Sequence, residues 1–129
     1  MKKKINLNLI VTAIFTAIIT MICMNVINFY LFDKQVKNDL RNTAQTLQET
    51  GVFNKSAKIP DISVENMRIT WIDTDGTVLY DNENDETILE NHLNRPEVKE
   101  AISNGEGDSD RQSATMDTKT YYHAILLDD

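Results

Sequence analysis

Hydrophobic and polar positions divide the chain into three regimes. From Ile5 to Phe32 there is no Asp, Glu, Lys, Arg or His, and Ile, Leu, Phe and Met dominate. As a helix these 28 residues extend about 42 Å at roughly 1.5 Å per residue, more than the about 30 Å of a bilayer core. The pattern predicts a transmembrane helix over residues 5–32. From Asp33 the apolar positions thin to a stripe, Val36, Leu40, Ala44 and Leu47, spaced by three and four until Gly51. This predicts a membrane-proximal continuation of the helix over residues 33–51. So narrow a stripe fits a two-helix seam or one side packed on a small domain.

Residues 52–66, with Lys55, Ser56, Lys58, Pro60, Asp61 and Ser63, read as a connection, after which the period drops to two. Met67, Ile69 and Trp71 alternate with Arg68 and Thr70, predicting a strand. Asp73-Thr74-Asp75-Gly76 reads as a turn into a second strand, Thr77 to Tyr80. Asp85 is expected to cap a helical turn whose apolar residues are Ile88, Leu89 and Leu93. Pro96 opens a short helix through Ser103, with Val98, Ala101 and Ile102 as its buried stripe and Asn104-Gly105 as its end. GEGDSD reads as a polar loop, and Arg111 to Met116 and Thr120 to Leu127 as two strands around an Asp117-Thr118 turn. The whole predicts an α+β chain whose residues 52–129 form a four-stranded antiparallel sheet with short helices. Ending at Leu127-Asp128-Asp129, straight after a strand, it is expected to be a fragment or to lack a partner strand.

Charge sharpens this picture. Lys2, Lys3 and Lys4 precede the apolar run, while Asp33, Lys34, Lys37 and Asp39 mix signs after it. Positive-inside bias therefore puts residues 1–4 in the cytoplasm and everything after about residue 33 outside. A cleavable signal peptide has a shorter apolar region ending in a small-x-small site. No such site appears near Asn25 to Phe32, and Met21-Ile22 before Cys23 does not suit a lipoprotein. Phe29, Tyr30 and Phe32 mark the outer interface. Thr12, Thr16 and Thr20, with Ala13 and Ala17, form a small-residue face for packing against another transmembrane helix, or threonines that bond their own backbone. Beyond the lysine cluster, 10 basic residues face 20 acidic ones, which excludes nucleic acid and anionic lipid as partners.

Catalytic signatures are missing from the sequence: no Gly-rich phosphate loop, HExxH, CxxC or GxSxG occurs. A calcium loop counted from Asp73 fails at its twelfth position, Asn84. The run Asp81, Glu83, Asp85 and Glu86 reads as a solvated face. We expect no catalytic residue, metal or cofactor. Ligand recognition is what remains. His92, Arg95, Arg111, Tyr121, Tyr122 and His123 are candidates for holding a small carboxylate or other anion. Alternatively, Arg95 bonds helix-end carbonyls and the tyrosines are half-buried sheet residues.

The basic start and single span, RITWIDTDGTVLYD, ENHLNRPEVKEAISNGEG and KTYYHAILL together resemble the extracytoplasmic sensor region of Gram-positive membrane sensor histidine kinases, of the phosphate-regulon and cell-wall-sensing type. The resemblance covers nearly the whole chain. Many PAS-like sensor domains share the IDxDGxVLxD hairpin, and its combination with NHLNRPEVKEA is more specific. The resemblance implies a PAS-like extracellular fold, a homodimer formed through the membrane and membrane-proximal helices, and an external small ligand or protein as stimulus. It also implies parts beyond Asp129: a final sheet strand, a second span, a linker domain, and phosphotransfer and ATP-binding domains. ATP, Mg and the response regulator belong to those parts. A chemoreceptor or diguanylate cyclase with the same sensor fold is a rival reading, as is a membrane-tethered interaction protein. His92 resembles a phosphoacceptor histidine, but Leu93 follows it where a carboxylate is needed, Pro96 lies four residues on, and the topology puts it outside. It serves as a family marker.

Overall fold

The computed structural model describes residues 2–53, 59–112 and 119–127. The readings for Lys55, Ser56, Lys58, Met116, Asp117-Thr118 and Asp128-Asp129 lie outside these, as do the side chains of Lys2, Lys3 and Lys4. The elements are α1 (Lys2–Thr50), β1 (Thr70–Ile72), β2 (Val78–Asp81), a 3-10 turn (Glu86–Ile88), α2 (Pro96–Asn104), β3 (Glu106–Gln112) and β4 (Lys119–Ile125). The chain is α+β and divides into two compact units, Met1–Val36 and Lys37–Asp129.

The first unit is helix alone. Its apolar side chains are exposed, Phe15 at 63% and Phe29 at 70%, and it is long and apolar enough to cross a membrane. Thr12, Thr16 and Thr20 donate their hydroxyls to the carbonyls of Asn8, Thr12 and Thr16 at 2.9, 3.0 and 2.8 Å. The Asn25 amide does the same to Met21 at 2.8 Å. These four side chains thus bond within the helix, as an apolar surrounding favours.

In the second unit β1 and β2 pair antiparallel, Thr70 opposite Asp81 and Trp71 opposite Tyr80, with a register shift before Ile72 and Val78. Gly76 N donates to Asp73 O and Asp73 N to Thr77 O, both at 2.8 Å, and Gly76 takes φ 89°. This is a three-residue hairpin loop closed by a left-handed glycine. The ladder is shorter than the alternation predicted. Met67 instead makes an isolated bridge to Val64, around Asn66 at φ 60°.

Two sequence expectations are corrected here. GEGDSD is strand, not loop: β3 pairs with β4 along seven residues, from Glu106 opposite Ile125 to Gln112 opposite Lys119. Its alternation is acidic against small. Glu106, Asp108 and Asp110 occupy one face, where Arg41 reaches Glu106 at 3.2 Å and Lys119 reaches Asp110 at 3.2 Å. Gly107 and Ser109 fall on the other face, so no hydrophobic period betrays the strand. Second, the described strands form two two-stranded sheets instead of one of four.

α2 lies on β3, and Gly107 permits the approach. A Cβ there would fall 2.7 Å from Glu100 Cβ and 2.8 Å from Ala101 N. Val98 and Ala101 are buried as the stripe predicted. The third member is Glu97, because Ile102 turns outward and is 42% exposed. Asp85 caps the 3-10 turn, accepting from Thr87 N at 2.9 Å, but Ile88 is 74% exposed.

Candidate functional site

A cavity of about 470 Å³ opens within the second unit. Leu40, Ala44 and Leu47 of α1 line it, with Phe53 and Trp71, Val98 of α2, and β4. Phe53 stacks obliquely on Trp71, ring centroids 5.5 Å apart, giving this apolar wall an aromatic end.

Two carboxylate–guanidinium pairs flank it. Asp81 at the end of β2 has a fully buried side chain. It accepts from Arg68 Nε at 2.9 Å, Thr70 Oγ1 at 2.7 Å, and the amides of Glu83 and Asn84 at 3.1 and 2.9 Å. Desolvation opposes its ionisation, but the hydrogen bonds from Thr70, Arg68 and the two amides win and hold the carboxyl below its usual value. Glu97, in the first turn of α2, takes Arg111 Nη2 on both oxygens at 2.6 Å and the Ser109 hydroxyl at 2.5 Å. Its carboxyl is also held low, burial again being outweighed, here by Ser109, its own backbone amide and Arg111. Arg111 lies over the Tyr122 ring, 4.1 Å from the centroid.

Arg95 stands at the N-cap of α2 without a side-chain cap bond. Its guanidinium has no hydrogen bond or ion pair among the described residues. Burial and then the Arg111 charge push its pKa down, against the pull of Glu97. His92 is 3% exposed, and its Nε2 is buried without a partner. Burial, followed by the charge of Arg95, lowers its pKa, so the ring is neutral at physiological pH. His123 has a 2% exposed side chain with Nδ1 2.8 Å from Asp108 Oδ1, and its Nε2 is likewise buried and unpartnered.

The six candidates do not converge. Arg95, Tyr121, Tyr122 and His123 line the cavity; His92 and Arg111 do not. Alternation along β4 separates Tyr122, on the side of α2 and Glu97, from Tyr121 and His123, on the side of Asp108 and α1. Lys37 Nζ stands 5.3 Å from the Tyr121 ring centroid. Asp81, Glu97 and Arg68 were not singled out by sequence. Asp81 was assigned to a solvated run and is in fact buried. The signal was local: an Asp followed by Asn-Glu-Asn can accept its own downstream amides in a turn.

Arg68 and Arg111 are committed to carboxylates, which leaves one half-buried guanidinium and one imidazole nitrogen at an apolar cavity. This arrangement suits binding. Among the described residues no group of three or more His, Cys, Asp or Glu side chains is placed to hold a metal. No protein-family model, curated protein or solved structure matches the chain.

Proposed function

We propose that the chain is the membrane-anchored, extracytoplasmic sensor portion of a two-component sensor histidine kinase, with a PAS-like outer domain acting in a homodimer. The observation that carries the reading is the contact between the two segments on which the resemblance rests. The Gly76 carbonyl of the IDTDG turn accepts the His92 amide of ENHLNRP at 2.8 Å, and Asn91 Nδ2 donates to Asp75 O at 2.9 Å. Segments whose bonded residues lie sixteen positions apart in sequence thus form one structural unit, and that is a reason for them to occur together. α1 also bears both the apolar segment and the side chains of Leu40, Ala44 and Leu47 at the cavity. A stimulus that favours one of two states of this unit biases α1 in proportion to its differential affinity. Phosphotransfer from ATP to a response regulator belongs to the kinase domains of the longer protein.

Reading the gene past the codon for Asp129 tests this. A second apolar span followed by a phosphoacceptor histidine and an ATP-binding domain is expected. A methylation helix or a cyclase domain in their place overturns the kinase assignment. Alkaline phosphatase fused after Gly105 is expected to be active; a fusion active only as a cytoplasmic reporter reverses the topology.

A further inference from the structure

Between Asp81 at the end of β2 and Glu97 in the first turn of α2, His92 is the one buried residue. Both ends of this segment are fixed. Asp81 holds Arg68, Thr70 and the amides of Glu83 and Asn84, and Glu97 holds Ser109 and Arg111. The middle, residues 85–95, crosses the β1–β2 turn on two hydrogen bonds, His92 N to Gly76 O and Asn91 Nδ2 to Asp75 O, and on the His92 ring. A surface segment with so few buried contacts opens at far lower cost than the whole unit unfolds. Whatever expels the ring therefore releases the segment.

A proton on the imidazole does so. In the imidazolium both ring nitrogens are donors, and Nε2 is buried without an acceptor. Arg95 on the same segment and Arg68 ahead of β1 act on the ring as like charges. The carboxylates of the flanking elements are committed elsewhere: Asp81 of β2 to Arg68 and Thr70, Glu97 of α2 to Arg111 and Ser109, Asp73 and Asp75 of the turn to the amides of Thr74 and Thr77. On the segment itself Asp85 caps Thr87, while Glu86 and Glu90 are exposed. Burial first and the Arg95 charge second hold the ring's pKa down, outweighing the backbone hydrogen bonds at Asn91 and Glu90. The closed segment thus disfavours a proton that the open one takes up near the ordinary value of about 6.5.

We propose that residues 85–95 are an acid-released strap, pinned across the β1–β2 turn by neutral His92 and freed when the ring takes up a proton, which makes the proton a stimulus of the second unit. Above about pH 6.5 the strap is closed. Below it the ratio of open to closed rises by up to about tenfold per pH unit. Only the strap's own contacts are given up, because the hydrogen bonds of Asp81 and Glu97 do not include His92. Arg95 is the strap residue that borders the cavity, whose wall α1 shares through Leu40, Ala44 and Leu47. Release of the strap therefore withdraws a charge from a surface that α1 also lines. That the acid is external rests on the extracytoplasmic reading; the strap is a property of the second unit alone.

The test uses the whole chain in detergent micelles, with amide hydrogen exchange expressed as protection factors and the ring titration followed by NMR. As the pH falls below about 6.5, the amides of His92 and Arg95 are expected to lose protection by up to about tenfold per pH unit. Those of Gly105 and Leu126, bonded to Ala101 O and Gly105 O, are expected to keep theirs. The His92 ring should take up its proton over the same range in which the strap opens. His92→Gln should hold its strap protection throughout, and His123→Gln should respond like the parent. The inference is overturned if strap protection is constant across the range, if Gly105 and Leu126 lose protection together with the strap, or if the ring titrates while the His92 amide stays protected. Its failure leaves the topology untouched, which the phosphatase fusion after Gly105 tests separately.

Discussion

The amide of His92 donates to the carbonyl of Gly76 at 2.8 Å, fastening the segment before α2 across the β1–β2 turn. Gly76 is irreplaceable on two counts. It takes φ 89°, and a Cβ would stand 2.5 Å from Leu93 Cβ and 2.6 Å from Leu93 N, and closer still to Asn91 Oδ1. Gly76→Ala is expected to destabilise the second unit by about 2–4 kcal/mol, combining left-handed strain with overpacking. Urea unfolding of the chain in micelles measures it. A loss below about 1 kcal/mol, the scale of an ordinary glycine substitution, would mean the 91–93 segment swings aside freely.

Asp81 gathers five donors, so Asp81→Ala orphans Arg68, Thr70, two backbone amides and the Asn84 side-chain amide together. Arg68 is part-exposed, which limits the loss to about 2–4 kcal/mol. The folded pKa is lowered, so Asp81 stabilises fully above its unfolded value of about 3.9, and this is lost as pH falls through the folded pKa. Asp81→Asn should therefore flatten the acid limb of the stability curve below about pH 4. An unchanged limb would remove Asp81 from the acid response.

How far the sequence could be read depended on which force shapes each element. α1, the Asp85 cap and the Pro96 helix with its Gly105 end were legible because local chemistry dictates them: an uncharged run, a side-chain acceptor, a fixed φ. β3 was not legible, because its order comes from partners on other elements, Arg41 of α1 and Lys119 of β4 on its acidic side chains and the His123 ring at Asp108, instead of from a hydrophobic period of its own. Buried Glu97 was hidden for the same reason, since only Ser109 and Arg111 make its burial tolerable. Of the six candidate ligand residues, four reach the cavity. Strand periodicity then put Tyr121 and Tyr122 on opposite faces, a separation already implicit in their adjacency.

Glu97 joins α2 to β3 through Ser109 and Arg111. Removing either partner should weaken the same clamp, so Ser109→Ala and Arg111→Ala are expected to be non-additive, with a coupling of about 1 kcal/mol in a double-mutant cycle. Additive losses would show that Glu97 holds the two independently.

If the proposed homodimer packs through Thr16 and Ala17, a large side chain there keeps the helices apart. Thr16→Leu is expected to weaken association about fivefold, near 1 kcal/mol, in fluorescence transfer between labelled chains in micelles. Thr16→Ser, which keeps the hydroxyl bond to Thr12 O, should associate like the parent. Equal association of Thr16→Leu and parent would leave the threonines as backbone-bonding residues only.

His92 carries the clearest pH dependence. Its ring is buried, its Nε2 unpartnered, and Arg95 and Arg68 disfavour a further positive charge beside them. Its folded pKa lies below the unfolded value of about 6.5, so the unfolded chain binds the proton first. Stability is thus complete above about pH 6.5 and falls as the pH drops toward the folded pKa, with a slope of at most about 1.4 kcal/mol per pH unit. His92→Gln cannot take up that proton. Compared in a His123→Gln background, where only one imidazole titrates, the parent should lose stability as the pH falls below about 6.5 while His92→Gln lacks that loss. Equal slopes in urea unfolding would show that the neutral imidazole of His92 has no preference for the folded state, and that its burial beneath the Gly76 turn is released before it titrates.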